Sequence, residues 1–383
     1  MRAVMLASLL VVPGLLAAQG AATTPPPPPS PPPPPPPPPA LALKVTGFAE
    51  ASYAYSRHSM GDTIIVGRLY DRLQNRFTLN AFGVVLDKPY DPAKRSAGFH
   101  VEALFGQNAT VIKSGGGALD LGTQGDIPHL YVTLNLPTAS GSGVQFKAGR
   151  IPTLMGLELI ETTANPNWSE GNQFIYVENF TALGVSLETK LNRYLDVQFR
   201  VINGWDQVSD NNNRKSLMGR VGISPDTLTS IGLVGFWGPE ESGDNTANRY
   251  GVEALLWRKL GGAQLWVQSD YGREQANSAL PTPGQDAKWW ALGSWLLYDF
   301  RPSLGLALRG DYVDDESGAR TSGSFGFPAN TGHKFGSATA TLNIRAWPNA
   351  AVRPEVRYDR STLAAFAGKK DQVSVALGVA YLY

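Results

Sequence analysis

The stretch that decides the fold is the last one of the chain, DQVSVALGVAYLY at residues 371–383. Its apolar residues recur at every second position: Val373, Val375, Leu377, Val379, Tyr381 and Tyr383. The intervening positions are mostly small or polar. Strict alternation of this kind places the two sets on opposite faces of an extended chain. The segment is therefore predicted to be a β-strand with one wholly apolar face.

The same alternation recurs through most of the sequence, for example in residues 127–137, 193–203, 303–314 and 351–361. Counting such segments predicts about sixteen strands, within a range of about 14–18. The connections between them alternate in length. Short, Gly-, Pro- or Asn-containing turns follow one end of the strands, and long loops follow the other. This alternation predicts an antiparallel barrel.

Two barrel architectures fit the alternation. A water-soluble barrel would turn its apolar side chains inward, whereas a membrane barrel turns them outward to lipid and lines its lumen with polar residues. The terminal aromatic Tyr383 resembles the recognition signal of bacterial outer-membrane barrels, and the alternating connections match their short periplasmic turns and long external loops. We therefore predict an all-β, transmembrane antiparallel β-barrel with both termini in the periplasm. On this assignment Leu377→Lys should be tolerated less well than Gly378→Lys.

The N-terminal segment predicts export. Residues 1–22 have a positive start, an apolar run and small residues near the end, which is the pattern of a signal peptide. The alternative, an anchor helix, is disfavoured because Pro13-Gly14 interrupts the run. Residues 23–42 are a Pro-rich spacer, in which Pro25–Pro39 should form polyproline II. A docking role for this arm, with peptidoglycan or a periplasmic partner, is the alternative. The barrel is then assigned to residues 43–383.

Composition excludes several classes of protein. The chain of 383 residues has 33 Lys+Arg and 32 Asp+Glu, so its formal charge of +1 gives no indication of nucleic-acid binding. With no Cys, it has neither disulfides nor thiolate zinc sites. His100 and His129 could face the lumen beside Glu102, but no Ser accompanies them in a catalytic pattern. We predict no enzyme activity, no cofactor and no metal site, with these residues serving as polar lining.

The longest connection, residues 152–178, is the third on the long side. It is acidic, and no Lys or Arg occurs between Arg150 and Lys190. It also carries apolar residues that argue against a fully solvated loop, among them Leu157, Leu159 and Ile160. A connection of this length is usually functional or disordered.

Three motifs carry a family resemblance: LKVTGF at residues 43–48, KAGRIPTLMGLE at residues 147–158 and ALGV at residues 182–185. They resemble the OmpL-like family of β-barrel porins over roughly residues 43–383. The resemblance implies an outer-membrane porin that gives passive diffusion of small hydrophilic solutes or ions. Outer-membrane lipid is then a partner, and a homotrimer is expected because sixteen-stranded porins are commonly trimers. The Pro-rich arm is not part of the family pattern.

In general diffusion porins the third long loop folds into the barrel and narrows it, and an acidic loop facing basic wall residues creates a field across the constriction. The predicted loop residues are Glu158, Glu161, Glu170 and Glu178. The predicted basic wall residues are Arg76, Lys147, Arg200, Arg220, Arg309, Arg353 and Arg357. Glu158 and Glu161 should point into the pore, opposite basic side chains across a gap. Alternatively, each wall charge pairs with an opposite charge on the next strand and stiffens the wall.

A second function remains open from sequence. The barrel could be a structural or adhesive element, using its surface loops for attachment and its Pro-rich arm to contact the cell wall. Single-channel conductance separates this hypothesis from the porin.

Overall fold

A computed structural model of the chain describes residues 42–113, 121–122, 124–138, 142–280 and 282–383. The predicted signal peptide and nearly all of the Pro-rich segment lie outside these residues, so their assignment stays a prediction.

Sixteen strands make up the fold. They are β1 Lys44–Ser56, β2 Phe77–Lys88, β3 Ser96–Phe105, β4 Gly125–Leu136, β5 Val144–Pro152, β6 Thr181–Lys190, β7 Leu195–Ile202, β8 Ser216–Asp226, β9 Thr229–Pro239, β10 Asn248–Leu260, β11 Ala263–Asn277, β12 Gln285–Arg301, β13 Leu304–Asp315, β14 His333–Trp347, β15 Ala350–Ser361 and β16 Asp371–Leu382.

Each strand pairs antiparallel with its sequence neighbours, and β16 pairs with β1 to close the barrel. At this seam Tyr53 lies opposite Leu377. Closure leaves no strand edge unpaired, which is the requirement for a sheet placed in lipid. The predicted fold class and strand number are confirmed.

The outer surface of the barrel is apolar. On β16, Leu377 is 49% exposed, whereas Ala376 on the inward parity is buried. The same division holds on β7, where Phe199 is exposed and Arg200 is buried. Since the large apolar side chains point away from the lumen, the water-soluble arrangement is excluded and the membrane arrangement holds.

Two strand boundaries, the start of β2 and the end of β11, differ by more than two residues from the sequence-based expectation. The predicted strand at residues 73–86 begins only at Phe77, which leaves Arg76 in the preceding loop. Strands β11 and β12 extend further than predicted, because Asn277 still pairs with Gln285. The connection between them is shorter as a result.

The helices are short. They are α1 Gln107–Lys113 and α2 Asn172–Tyr176, with 3-10 turns at Thr162–Ala164 and Ser324–Gly326. Within the described ranges, no helix has the length and apolar character needed to cross a membrane.

Candidate functional site inside the barrel

The connection between β5 and β6, residues 153–180, enters the lumen and is called loop 3 below. Its two ends are tied together by a hydrogen bond from Thr153 Oγ1 to Asn179 Oδ1 at 2.7 Å. Asp206 accepts the backbone N–H groups of Phe180 at 2.6 Å and Thr181 at 2.9 Å. Burial raises the pKa of Asp206 to about 6, although these two hydrogen bonds oppose the shift. The end of loop 3 is thus fixed before β6 begins.

Carboxylates on the barrel wall bind the backbone of loop 3. Glu355 accepts the N–H groups of Trp168 at 2.8 Å and Ser169 at 3.2 Å. Asp311 accepts both the backbone N–H and the side-chain amide of Asn172, at 3.3 and 2.6 Å. A buried loop must pair its backbone polar groups, and here the wall supplies the acceptors.

Arginines on the same wall supply the donors, and three of the predicted wall residues act in this way. They donate to carbonyl oxygens of loop 3: Arg309 to Ser169 at 2.5 Å, Arg353 to Asn165 at 2.6 Å and Arg357 to Glu170 at 2.7 Å. All three side chains are buried. These charges therefore hold the loop in place through its backbone.

The four predicted loop carboxylates occupy different environments. Glu158 is 1% exposed and lies 2.7 Å from Arg309 Nη1, so this pair is in contact and not separated by a gap. Glu178 is buried and accepts a hydrogen bond from Gln268 Nε2 at 2.6 Å.

Glu170 is also buried. Burial raises its pKa well above the ordinary value, and the nearby charges of Asp71 and Glu158 act in the same direction.

Glu161 differs from the other three because its side chain is 20% exposed. It lies 3.2 Å from His129 Nδ1 on β4. Burial alone would raise its pKa, but hydrogen bonding to His129 and the charge of that ring outweigh burial and hold the pKa below the ordinary value. Glu161 is thus the predicted loop carboxylate that meets solvent.

The predicted basic residues of β5, β7 and β8 are paired across strands. Lys147 Nζ lies 2.8 Å from Glu188 Oε2, and Arg200 lies 3.8 Å from the same carboxylate. Arg220 pairs with Asp196. These contacts match the alternative in which wall charges pair with neighbours. The remaining predicted wall residue, Arg76, is exposed at the barrel rim. Any role of these residues in selectivity stays a prediction.

Sequence reasoning missed the contribution of the first long loop, residues 57–76. Its Arg68 donates to Ser374 Oγ on β16 at 2.6 Å, and Gln372 Nε2 donates to the carbonyl of Val66 at 2.7 Å. Val66 and Leu69 belong to a buried apolar cluster. The apolar residues in this loop, such as Val66 and Leu69, were the available signal. Two loops therefore pack inside the barrel on this side.

The sequence also did not predict a cavity of about 350 Å³ above loop 3, at the end of the barrel that carries the long loops. Trp205 lines it, with the guanidinium carbons of Arg249 and Arg320 at 5.1 and 5.4 Å from its ring. Burial lowers the pKa of Arg320 to about 10, and the like charge of Arg249 adds to the shift. This cavity combines aromatic surface with partly buried positive charge.

Comparisons with known proteins agree with this architecture. The family model described as "Putative beta-barrel porin-2, OmpL-like" matches residues 42–383. A search of curated proteins found no match.

Several solved structures share the fold. The outer membrane channel DcaP of Acinetobacter baumannii has a TM-score of 0.60 and 14% identity, covering 89% of this chain and 97% of that one. The anion-selective porin of Comamonas acidovorans has a TM-score of 0.59 and 11% identity, covering 89% and 99%. The trimer form of OmpT from Vibrio cholerae has a TM-score of 0.55 and 10% identity, again covering 89% and 99%.

Proposed function

Since the chain belongs to the OmpL-like β-barrel porin family and is an outer-membrane porin, we propose that small hydrophilic solutes or ions cross it by passive diffusion through a lumen narrowed by loop 3. Family and fold indicate a channel and not an enzyme. The observation that carries the proposal is the position of loop 3. It contacts Glu50 on β1, His129 on β4 and Asp311 on β13, which lie on well-separated parts of the wall.

Within this constriction, Glu161 is the residue that acts on passing ions. Its partial exposure places a negative charge where solutes pass, whereas Glu158, Glu170 and Glu178 are buried. A charged side chain at a narrow point attracts ions of opposite charge and repels ions of like charge, as rings of charged side chains do in selective pores. The partly exposed Lys147 on β5 contributes positive charge to the same lumen.

The test is the reversal potential of single barrels in planar bilayers under a salt gradient, with a chelator present. Glu161→Gln should shift the reversal potential towards anions, because it removes one negative charge from the narrow region. The matched control is Glu316→Gln, the same change on an external loop where the side chain is 70% exposed. It should leave the potential unchanged. Equal shifts in both variants, or none in Glu161→Gln, would refute the assignment of Glu161.

A second variant tests the loop as a whole. Replacing residues 156–172 with a short Gly-Ser linker should raise conductance, because the segment packs against the inner wall. Unchanged conductance would mean that loop 3 does not narrow the path. If the folded wild-type protein gives no conductance at all, the porin proposal itself fails and the structural or adhesive barrel replaces it.

Orientation and assembly complete the proposal. The short turns face the periplasm and the long loops face outward, as in other barrels of this type. Protease added to intact cells should then cleave within the long loop at residues 316–332 and spare the turn at residues 191–194.

A homotrimer is proposed on the likeness to OmpT, which is described as a trimer. Chemical crosslinking of the folded protein tests this assembly.

A further inference from the structure

A cluster of metal-ligating side chains lies on the inner wall at β3 and β4. His100 and Glu102 are two residues apart on β3 and therefore share one face of the strand. His129 on β4 is the register partner of Glu102. One ligand atom from each of these three residues lies within 4.8 Å of the others. Loop 3 adds Glu161, whose Oε1 lies 3.2 Å from His129 Nδ1.

The hydrogen bonding of this cluster is incomplete. Two carboxylates approach the same nitrogen, since Glu102 Oε2 lies 3.0 Å from His129 Nδ1 and Glu161 Oε1 lies 3.2 Å from it. A single N–H group cannot serve both well. Among the described residues, Glu102 Oε1 has no hydrogen-bond partner, although the side chain is only 2% exposed. Buried polar atoms in native structures are normally paired, so the cluster lacks a component.

We propose that His100, Glu102, His129 and Glu161 form a binding site for a divalent transition-metal ion of the zinc type. Imidazole and carboxylate are ligands that such ions prefer. Zinc bonds of about 2.0–2.2 Å separate neighbouring ligand atoms of a tetrahedral site by about 3.3–3.6 Å. The separations of 3.0 and 3.2 Å around His129 Nδ1 are within a few tenths of an ångström of that spacing. A cation there also removes the repulsion between the two carboxylates.

The surroundings of His100 fit a ligand role. Its Nδ1 lies 3.3 Å from Asp87 Oδ1 on β2, and its ring stacks on Tyr131 with centroids 5.1 Å apart. A metal-bound histidine usually donates its other ring N–H to a carboxylate, which fixes the ring. Asp87 is therefore a positioning residue that leaves Nε2 of His100 as the ligand atom.

The metal joins loop 3 to the wall. His100, Glu102 and His129 belong to strands, whereas Glu161 belongs to the loop, so an ion bound by all four fastens the constriction in place. Because Glu161 is the partly exposed carboxylate of loop 3, metal binding also neutralises its charge. This consequence for ion flow rests on the porin proposal, but metal binding itself does not.

The experiment is calorimetric titration of ZnCl₂ into the full-length, detergent-folded protein after treatment with EDTA. One zinc per chain should bind, and MgCl₂ should not compete, because Mg²⁺ prefers oxygen ligands. His129→Gln and Glu161→Gln should each abolish or strongly weaken binding, and Asp87→Asn should weaken it about 10- to 100-fold. Glu161→Gln changes a loop residue and leaves the strands intact. Circular dichroism confirms that each variant is folded.

The matched control is His58→Gln, which removes a histidine of the first long loop whose Nδ1 contacts the carbonyl of Asp371 at 3.0 Å. It should bind zinc as the wild type does. Absence of zinc binding by the folded wild type, or equal binding by His129→Gln, would overturn the site.

Bilayer recording separates the two proposals. Addition of ZnCl₂ should lower the current of the wild type and not that of Glu161→Gln. Zinc binding by a protein that conducts no ions would refute the porin proposal and leave the metal site standing. If zinc binds to a conducting protein and the current does not change, the claim that the ion holds loop 3 against the barrel wall would be refuted.

Discussion

A lysine placed at two adjacent positions of β7 should have unequal consequences for stability. Phe199 is 51% exposed on the outer surface, and its neighbour across the ladder, Leu187, is also exposed there. Gln198 has the inward parity and lies in register with Glu188 and Arg220. The two residues are adjacent in one strand and lie at almost the same depth in the membrane. Phe199→Lys and Gln198→Lys therefore differ mainly in whether the ammonium group enters lipid or the lumen.

The expected magnitudes follow from that difference. Phe199 is in the middle of an eight-residue strand, and a lysine facing lipid at mid-depth costs about 2–4 kcal/mol. This corresponds to a change of about 30- to 700-fold in the unfolding equilibrium. A lysine at position 198 lies between Glu188 and Arg220 in a polar environment. A pair with Glu188 is worth about 0–1 kcal/mol and is offset by the like charge of Arg220.

The assay is reversible denaturant unfolding of the barrel in phospholipid vesicles, followed by tryptophan fluorescence. Phe199→Lys should lower the free energy of unfolding by the larger amount, and Gln198→Lys should stay close to the wild type. If the two variants lose equal stability, or if Gln198→Lys loses more, the assignment of outward and inward faces is wrong.

The pair suggested by sequence alone, Leu377→Lys against Gly378→Lys, does not provide this contrast. Gly378 has the inward parity, but the space that its side chain would need is occupied by the ring of Trp168 from loop 3. A lysine there must displace the loop. We therefore expect both variants to be destabilised, so the prediction that Gly378→Lys is tolerated better than Leu377→Lys is a poor test of the two faces.

Two further predictions concern the loops and the barrel seam. The raised pKa of Glu170, beside Asp71 and Glu158, means that the folded state binds a proton more tightly than the unfolded state, so stability should fall as pH rises above the ordinary carboxyl range. Glu170→Gln should flatten this decline in denaturant titrations across pH, and an unchanged slope would contradict it. Tyr383→Ser should lower stability by about 1 kcal/mol, since it removes the stacked ring contact with Phe82; an unchanged denaturation midpoint would argue against that contribution.

Much of the fold could be predicted from local sequence. Alternation in segments such as residues 371–383 identified strands, and Gly-, Pro- and Asn-containing turns separated them, because both signals act over a few residues. The strand number followed directly. The apolar set could also be identified. Parity alone does not tell on which side of the barrel this set lies, because it is the same in a soluble barrel and a membrane barrel. The terminal aromatic Tyr383 and the alternating connection lengths predicted the outward side.

The candidate site was predictable only in part. The acidic loop and the basic wall residues could be identified by composition, and the structure brings Glu158 to Arg309, 151 positions apart in sequence. Whether such a charge meets water was not predictable. Glu158 and Glu161 are three residues apart in one loop, yet the first is buried against Arg309 and the second is partly exposed beside His129.

The sequence by itself determined which residues form strands, where the turns lie and which side chains share a face. Those properties follow from the backbone period of two, which each segment carries locally. Only the tertiary structure decided that the first long loop and loop 3 pack inside the barrel, that Trp168 covers Gly378 and that Glu161 lies beside His129. These contacts depend on closure of the barrel, because closure brings distant strands around one space and gives the buried loop backbone the hydrogen-bond partners that it must find.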